Sequence, residues 1–270
     1  FAVGLYGTIL KTIDAGTTWT TLASGTTNDL QSVYFTDANT GYAVGYMYNS
    51  YGTYNGTILK TIDAGTTWTL LSNETIAPLY SVYFTDANTG FAVGLYGTIL
   101  KTIDAGTTWT TLASGTTNDL QSVYFTDANT GYAVGYMYNS YGTYNGTILK
   151  TIDAGTTWTL LSNETIASLF SVYFADANNG YAVGMSGTIL RTTDGGTTWI
   201  TESSGTTECL YSVYFPNVNT GFAVGDGGVI LKTSDGGTSW TLLSSGTNNY
   251  ILNSVYFTDV KTGYAVGQKF

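Results

Sequence analysis

The sequence predicts an all-β fold, a β-propeller of four-stranded antiparallel blades, on three observations. Short runs rich in Val, Tyr, Phe, Ile, Thr and Trp alternate with Gly, Asn and Asp, the pattern of strands and tight turns. No stretch of ten or more residues carries an apolar stripe of helical period. A unit of 41 to 49 residues recurs six times, marked by Trp19, Trp68, Trp109, Trp158, Trp199 and Trp240. A unit that short cannot bury its own apolar face and must stack on its neighbours. Six blades account for the repeats, with a seventh if flanking sequence completes one.

Each unit supplies four strands. Strand A is Ser-Val-Tyr-Phe, starting at Ser32, Ser81, Ser122, Ser171, Ser212 and Ser254. Strand B is Phe/Tyr-Ala-Val-Gly, which occurs seven times, at Phe1, Tyr42, Phe91, Tyr132, Tyr181, Phe222 and Tyr264. Strand C is Thr-Ile-Leu-Lys-Thr, as in Thr57–Thr61, and strand D surrounds the Trp. A is expected innermost and D outermost. Stacking buries both faces of a blade, so A and B need no polar alternation. Residues 1–77 are identical to residues 91–167, so the duplicated unit is a pair of repeats.

Residues 1–270 read as a single propeller domain with its first blade shared between the chain ends. Phe1–Gly4 supplies strand B there, and Ser254–Phe257 is expected to supply strand A, hiding two edges. One B strand is then left over. The chain starts inside a repeat without an initiator Met, as a processed or partial piece of a longer product would.

The net charge is −10, from 8 basic and 18 acidic side chains. Nucleic acid and anionic membrane surfaces are therefore not expected partners. No apolar run reaches the ~18 residues of a membrane span, so no membrane insertion is expected. The lone Cys209 cannot form an intrachain disulfide, and its apolar neighbours suit a buried thiol. The chain has no His, which removes the usual zinc ligands and general bases. A surface of hydroxyls and amides suits an extracellular or cell-surface location, or the periplasm.

A Thr-x-Asp-x-Gly-x-Thr/Ser-Trp box sits in every C–D hairpin, with Asp14, Asp63, Asp104, Asp153, Asp194 and Asp235. Its carboxylate is expected to accept turn amides and a hydroxyl, its Gly to take positive φ, and its Trp to pack on the next blade. Six radial copies point to a structural staple, since catalysis needs convergence. One Asp per box is thin for calcium, so no metal and no cofactor are expected.

These residues carry a resemblance. The string Gly-Tyr-Ala-Val-Gly followed by Gly-Thr-Ile-Leu-Lys-Thr and the Asp box resembles the Ycf48/HCF136-like photosystem II assembly factor repeats. It covers essentially the whole chain. The Asp box is shared with the BNR repeats of sialidases. The first resemblance implies a propeller, often secreted or surface-exposed, that binds or scaffolds protein. That family's Arg-rich contact patch is absent here, where Arg191 stands alone. The sialidase resemblance implies a three-arginine clamp, which one arginine cannot build.

Two B–C hairpins carry an eight-residue insertion relative to short ones such as Leu95-Tyr96-Gly97. They run Tyr46–Gly56 and Tyr136–Gly146. B–C turns and D–A loops emerge on one blade edge, which collects Tyr46, Tyr48, Tyr51, Tyr54, Tyr136, Tyr138, Tyr141 and Tyr144. Asn28, Asp29, Asn118, Asp119, Asn248 and Asn249 join them from the D–A loops. Tyr with Asn and Ser is the composition of adaptable recognition surfaces, although such hairpins also pack on each other. Asn55, Asn73, Asn145 and Asn163 lie in glycosylation sequons. Strand C carries Lys11, Lys60, Lys101, Lys150, Arg191 and Lys232, expected to reach water or a carboxylate.

The expected function is a non-enzymatic extracellular or surface scaffold that binds protein or glycan through these loops. One alternative is a structural, self-associating surface or filament component. The other is a glycan-active hydrolase drawing on Glu74, Glu164, Glu202 or Glu208.

Overall fold

The structure is a computed structural model. It describes residues 1–48, 54–71, 77–138, 144–161, 167–246 and 249–269, with the side chains of residues 138 and 144 outside that description. It is an all-β six-bladed propeller with mostly four-stranded antiparallel blades. The chain divides into two compact units, Phe1–Val123 with Thr151–Thr159, and Tyr124–Lys150 with Leu160–Phe270.

In the first unit β1 (Ala2–Val3), β2 (Ile9–Lys11) and β3 (Thr20–Leu22) form a three-stranded sheet. The next blade is β4 (Asp29–Phe35), β5 (Gly41–Tyr48), β6 (Tyr54–Thr61) and β7 (Thr69–Leu70). It is followed by β8 (Leu79–Phe84), β9 (Gly90–Gly94), β10 (Ile99–Thr102) and β11 (Thr110–Leu112). The boundary between the units runs through the blade of β12 (Asp119–Phe125), β13 (Gly131–Tyr138), β14 (Tyr144–Thr151) and β15 (Thr159–Leu160).

The second unit continues with β16 (Leu169–Phe174), β17 (Gly180–Gly184), β18 (Ile189–Thr192) and β19 (Ile200–Glu202). Then come β20 (Leu210–Tyr214), β21 (Gly221–Gly225), β22 (Ile230–Thr233) and β23 (Thr241–Leu243). A two-stranded sheet of β24 (Tyr250–Phe257) and β25 (Gly263–Lys269) ends the chain. The A-B-C-D strand order expected from the repeat holds in every complete blade.

β24 takes β25 as its partner, from Phe257 opposite Gly263 to Tyr250 opposite Lys269. Among the described residues β1 pairs with β2. Tyr264–Gly267 follows β24 through a short hairpin, and a local partner forms at less entropic cost than a distant one.

Strand B is buried along its whole length in β9, β17 and β21, as in the fully buried Phe91, Ala92 and Val93 of β9. The outer strands are mostly exposed. The pairs β4–β5, β8–β9, β16–β17, β20–β21 and β24–β25 each carry a bulge. Leu79 pairs with Gly94 and Ser81 with Val93, which leaves Tyr80 as the extra residue. The bulge brings the Pro78 carbonyl against Gly94, where a Cβ would lie 1.9 Å from the oxygen. That close approach explains the Gly closing each complete Ala-Val-Gly strand.

One seam in the first unit illustrates the packing. Tyr42 stacks on Phe84 at 4.1 Å between centroids, and Trp109 meets Phe84 edge-on at 6.1 Å. Val44, Ile58, Leu79, Val82 and Leu100 fill the space around them. The Tyr42 hydroxyl donates to the Ala105 carbonyl at 2.7 Å, and Lys60 Nζ donates to the same oxygen at 2.6 Å. In the second unit Tyr132 stacks on Phe174, and Tyr132 and Lys150 both donate to Gly195 O. Burial pushes the Tyr42 and Tyr132 phenols up to about 12, so both remain neutral donors.

Two sequence expectations change here. Lys11, Lys60, Lys101 and Lys150 each donate to the carbonyl of a neighbouring Asp-box turn rather than to a carboxylate. Each ammonium also lies over the aromatic ring of its own B strand, at 5.4–5.5 Å. Among the described residues Arg191 alone follows the carboxylate expectation, 3.6 Å from Glu202. Tryptophan burial is graded: Trp68 and Trp158 are buried, whereas Trp19 in the three-stranded sheet is 37% exposed.

Candidate functional site

The six Asp boxes fold alike and locally. In one, Asp63 Oδ1 accepts the Thr61 hydroxyl at 2.8 Å and the Thr67 N–H at 2.9 Å. Its Oδ2 accepts the Thr67 hydroxyl at 2.6 Å. The Thr61 hydroxyl in turn accepts the Gly65 N–H at 2.9 Å. Gly65 holds φ +80°, and a Cβ there would also strike the Phe1 ring at 2.6 Å. The carboxylates are thus filled by their own turns. Asp63 is held down at about 2 by the hydroxyl and N–H of Thr67. Asp194 and Asp235 sit at about 2 for the same reason, bonded to Thr198 and Ser239. Asp14, Asp104 and Asp153 are lowered by Thr18, Thr108 and Thr157.

The B–C edge is built differently. In the hairpin of β5 and β6, Tyr46 pairs with Gly56 and Tyr48 with Tyr54. Side chains two residues apart, and those directly opposite, share a face of a ribbon. Tyr46, Tyr48 and Tyr54 therefore form one aromatic face, with Met47 and Asn55 on the other. The Tyr48 and Tyr54 centroids lie 4.9 Å apart, and Tyr46 meets Tyr54 edge-on at 5.8 Å. Tyr46 also packs edge-on against Tyr80 at 6.3 Å, the residue displaced by the bulge in β8. Toward the tip the ribbon opens to solvent, with Tyr48 63% and Tyr54 45% exposed.

The D–A loop supports this hairpin rather than extending its surface. Asn28 Nδ2 donates to the buried Thr57 hydroxyl at 2.8 Å. Asp29 Oδ1 accepts the Tyr6 N–H at 2.8 Å, and Asp119 Oδ1 accepts the Tyr96 N–H at 3.0 Å. Burial raises the Asp119 carboxyl, and the Tyr96 N–H opposes that rise. Asn118 donates its backbone N–H to the Thr116 hydroxyl. Asn249 is exposed, and Asn248 lies outside the described residues.

In the second unit Tyr136, at the base of the other long hairpin, meets Phe170 edge-on at 6.1 Å. Phe170 continues to Tyr211 at 5.2 Å, whose hydroxyl donates to Asp226 Oδ2 at 3.1 Å. Tyr51 and Tyr141 lie outside the described residues, as do the side chains of Tyr138 and Tyr144. Asn73, Asn163, Glu74 and Glu164 also lie outside them. Among the described residues no group of three or more His, Cys, Asp or Glu could hold a metal ion. No described helix is long and apolar enough to cross a membrane.

Reading the sequence missed Tyr80, Tyr6 and Tyr96. Tyr80 falls one residue before its Ser-Val-Tyr-Phe strand, where the first repeat has Gln31. Tyr6 and Tyr96 precede a turn glycine, where the other short hairpins have Ser186 and Gly227. Both positions depart from the repeat, and that departure is the available signal.

The family model described as Photosynthesis system II assembly factor YCF48 matches this chain over residues 61–164, 102–199 and 153–245. Among solved structures the chain is similar to YCF48 bound to D1 peptide, at 19% identity and TM-score 0.72, over 99% of this chain and 84% of that one. It is similar to YCF48 from Cyanidioschyzon merolae at 18% identity and TM-score 0.74, over 99% and 88%. It is similar to the Niastella koreensis GH74 enzyme at 16% identity and TM-score 0.79, over 99% of this chain but 49% of the enzyme. These likenesses carry the fold alone. No curated protein sequence matches this chain.

Proposed function

We propose that this chain, which belongs to the Photosynthesis system II assembly factor YCF48 family, is a non-enzymatic extracellular or cell-surface scaffold that binds protein or glycan along its B–C edge. The observation that carries this reading is the one-sided tyrosine ribbon of Tyr46, Tyr48 and Tyr54. It is anchored at its base by Tyr80 and by the Asn28 bond to Thr57, and exposed toward its tip. Tyrosine gives a large contact area with two side-chain torsions to fix, so a braced row of rings loses little entropy on binding.

YCF48 bound to D1 peptide is a relative of the same fold that holds a polypeptide. The partner here is a different one on charge grounds, since a chain of net charge −10 with one arginine offers no basic patch. A GH74-like hydrolytic role finds less support. Of the described candidate acids, Glu202 is engaged by Arg191 at 3.6 Å. The test replaces each long hairpin with Leu-Tyr-Gly and screens both chains against immobilised peptides and glycans. Loss of the wild-type hits is expected. Hits retained at unchanged affinity would remove the hairpins from the binding site.

A further inference from the structure

Tyr6 and Tyr96 occupy left-handed backbone, at φ 56° and 57°, which the Cβ of an L-residue resists. Ser186 and Gly227 hold the same turn in other blades, so the fold asks for no aromatic ring there. Yet both rings stand in solvent, 81% and 71% exposed. Tyr96 forms one rim of an open groove of about 670 Å³. The end of β11 and the loop after it line the groove, with Thr111, Ser114, Thr116 and Thr117. None of the lining residues is charged. A similar groove of about 630 Å³ lies in the second unit, with Ser186 in place of the tyrosine and Glu202 in its wall.

We infer that the Tyr96 groove is a subsite for a neutral hexopyranose residue of a glycan, and that Tyr6 plays the same part in its own turn. A pyranose offers a flat C–H face that stacks on an aromatic ring, and a rim of hydroxyls that donate and accept. The groove pairs an exposed ring with a wall on which Thr111 and Thr117 are exposed, while the buried Ser114 hydroxyl donates to Thr116 O, at a size typical of small-molecule sites. The net charge of −10 selects neutral over acidic sugars. A charged peptide segment would meet no counter-charge in it. The turn is set in advance: the Tyr96 N–H is held by Asp119 at 3.0 Å, and the Thr98 hydroxyl donates to Leu95 O at 2.7 Å. This assignment rests on the B–C edge being the binding edge, and it names other residues than the long hairpins.

Saturation-transfer NMR with cellohexaose, maltohexaose and mannohexaose, and with hexagalacturonate as the acidic control, tests it. At least one neutral hexaose is expected to bind the full chain, with the acidic one weaker. The Tyr6→Gly, Tyr96→Gly double variant is expected to lose about tenfold or more in affinity. Gly227 shows that glycine suits the turn, and an unchanged urea midpoint checks folding. Ser186→Tyr is expected to strengthen binding of the same hexaose. Absence of binding to every neutral hexaose, or undiminished binding by the double variant, overturns the subsite. Two outcomes separate it from the hairpin reading. Sugar binding lost with the glycines but kept with shortened hairpins leaves the groove and removes the hairpins. The reverse removes the groove alone.

Discussion

Gly94→Ala isolates the contact that shapes every complete blade. Gly94 has φ −170°, an extended backbone that alanine adopts without strain. Its cost therefore comes from the space around it. The new Cβ would lie 1.9 Å from Pro78 O, 2.9 Å from Pro78 C and 3.0 Å from Leu79 Cα. All three are backbone atoms, so no side-chain rotation relieves the clash. The A strand must lift, which strains packed neighbours at about 2–3 kcal/mol. It also strips the Leu95 N–H from Pro78 O, a 3.0 Å bond worth about 1 kcal/mol. A loss of about 3–4 kcal/mol follows, a large part of a domain's usual ~5–15 kcal/mol. Gly4→Ala is the matched control. Gly4 closes the same motif at φ −168°, but nothing lies within 4 Å of its Cβ position. Urea unfolding should show a lowered midpoint for Gly94→Ala and an unchanged one for Gly4→Ala. Equal losses would place a fourth strand against Gly4 and refute the three-stranded first sheet.

Two further outcomes follow from the blade joints. Folding lowers the Asp-box carboxyls, so their contribution is fully present above the unfolded value of about 4 and is lost as pH falls through about 2. The urea midpoint should drop across that window, and Asp63→Asn should flatten the drop; an unchanged pH slope in the variant would remove the box from acid stability. Lys60→Met should cost about 1–2 kcal/mol by removing a charge-assisted bond to a carbonyl and a cation–ring contact. Because its partner is Ala105 O rather than a carboxylate, that loss should persist in high salt, and a loss that disappears on adding salt would refute the carbonyl bond.

What could be read from the sequence follows from how local each feature is. The strand order and the Asp-box turn were legible, because their partners lie within a few residues: Thr61, Asp63 and Thr67 close on one another. The lysine joints were not. Lys60 is 45 residues from Ala105, and the acceptor is a main-chain oxygen, which carries no sequence signature. The hydrogen bonds of Asn28 and Asp29 were not legible for a similar reason. Their side chains suit ligand contact by composition, but Thr57 and the Tyr6 N–H already hold them.

The repeat also separates constant positions from variable ones. Positions that hold the blades together scarcely vary: the Ala-Val-Gly glycine, the box Asp and the cation of strand C recur in nearly every unit. The B–C turn varies in length by eight residues, and its left-handed position holds Tyr6, Tyr96, Ser186 or Gly227. Packing cannot demand such different residues at equivalent places. A ring held in left-handed backbone costs about 1–2 kcal/mol that glycine avoids, and solvent returns nothing for it. Residues 1–77 and 91–167 are identical, so the tyrosine turns and the long tyrosine hairpins were copied together. The duplicated pair of repeats thus carries two kinds of aromatic surface on one edge, braced by Asp29 and Asp119 against the turns and by Tyr80 against the hairpin. The box-bearing turns, by contrast, satisfy their carboxylates internally, and that contrast is why the proposed binding is placed on the B–C edge.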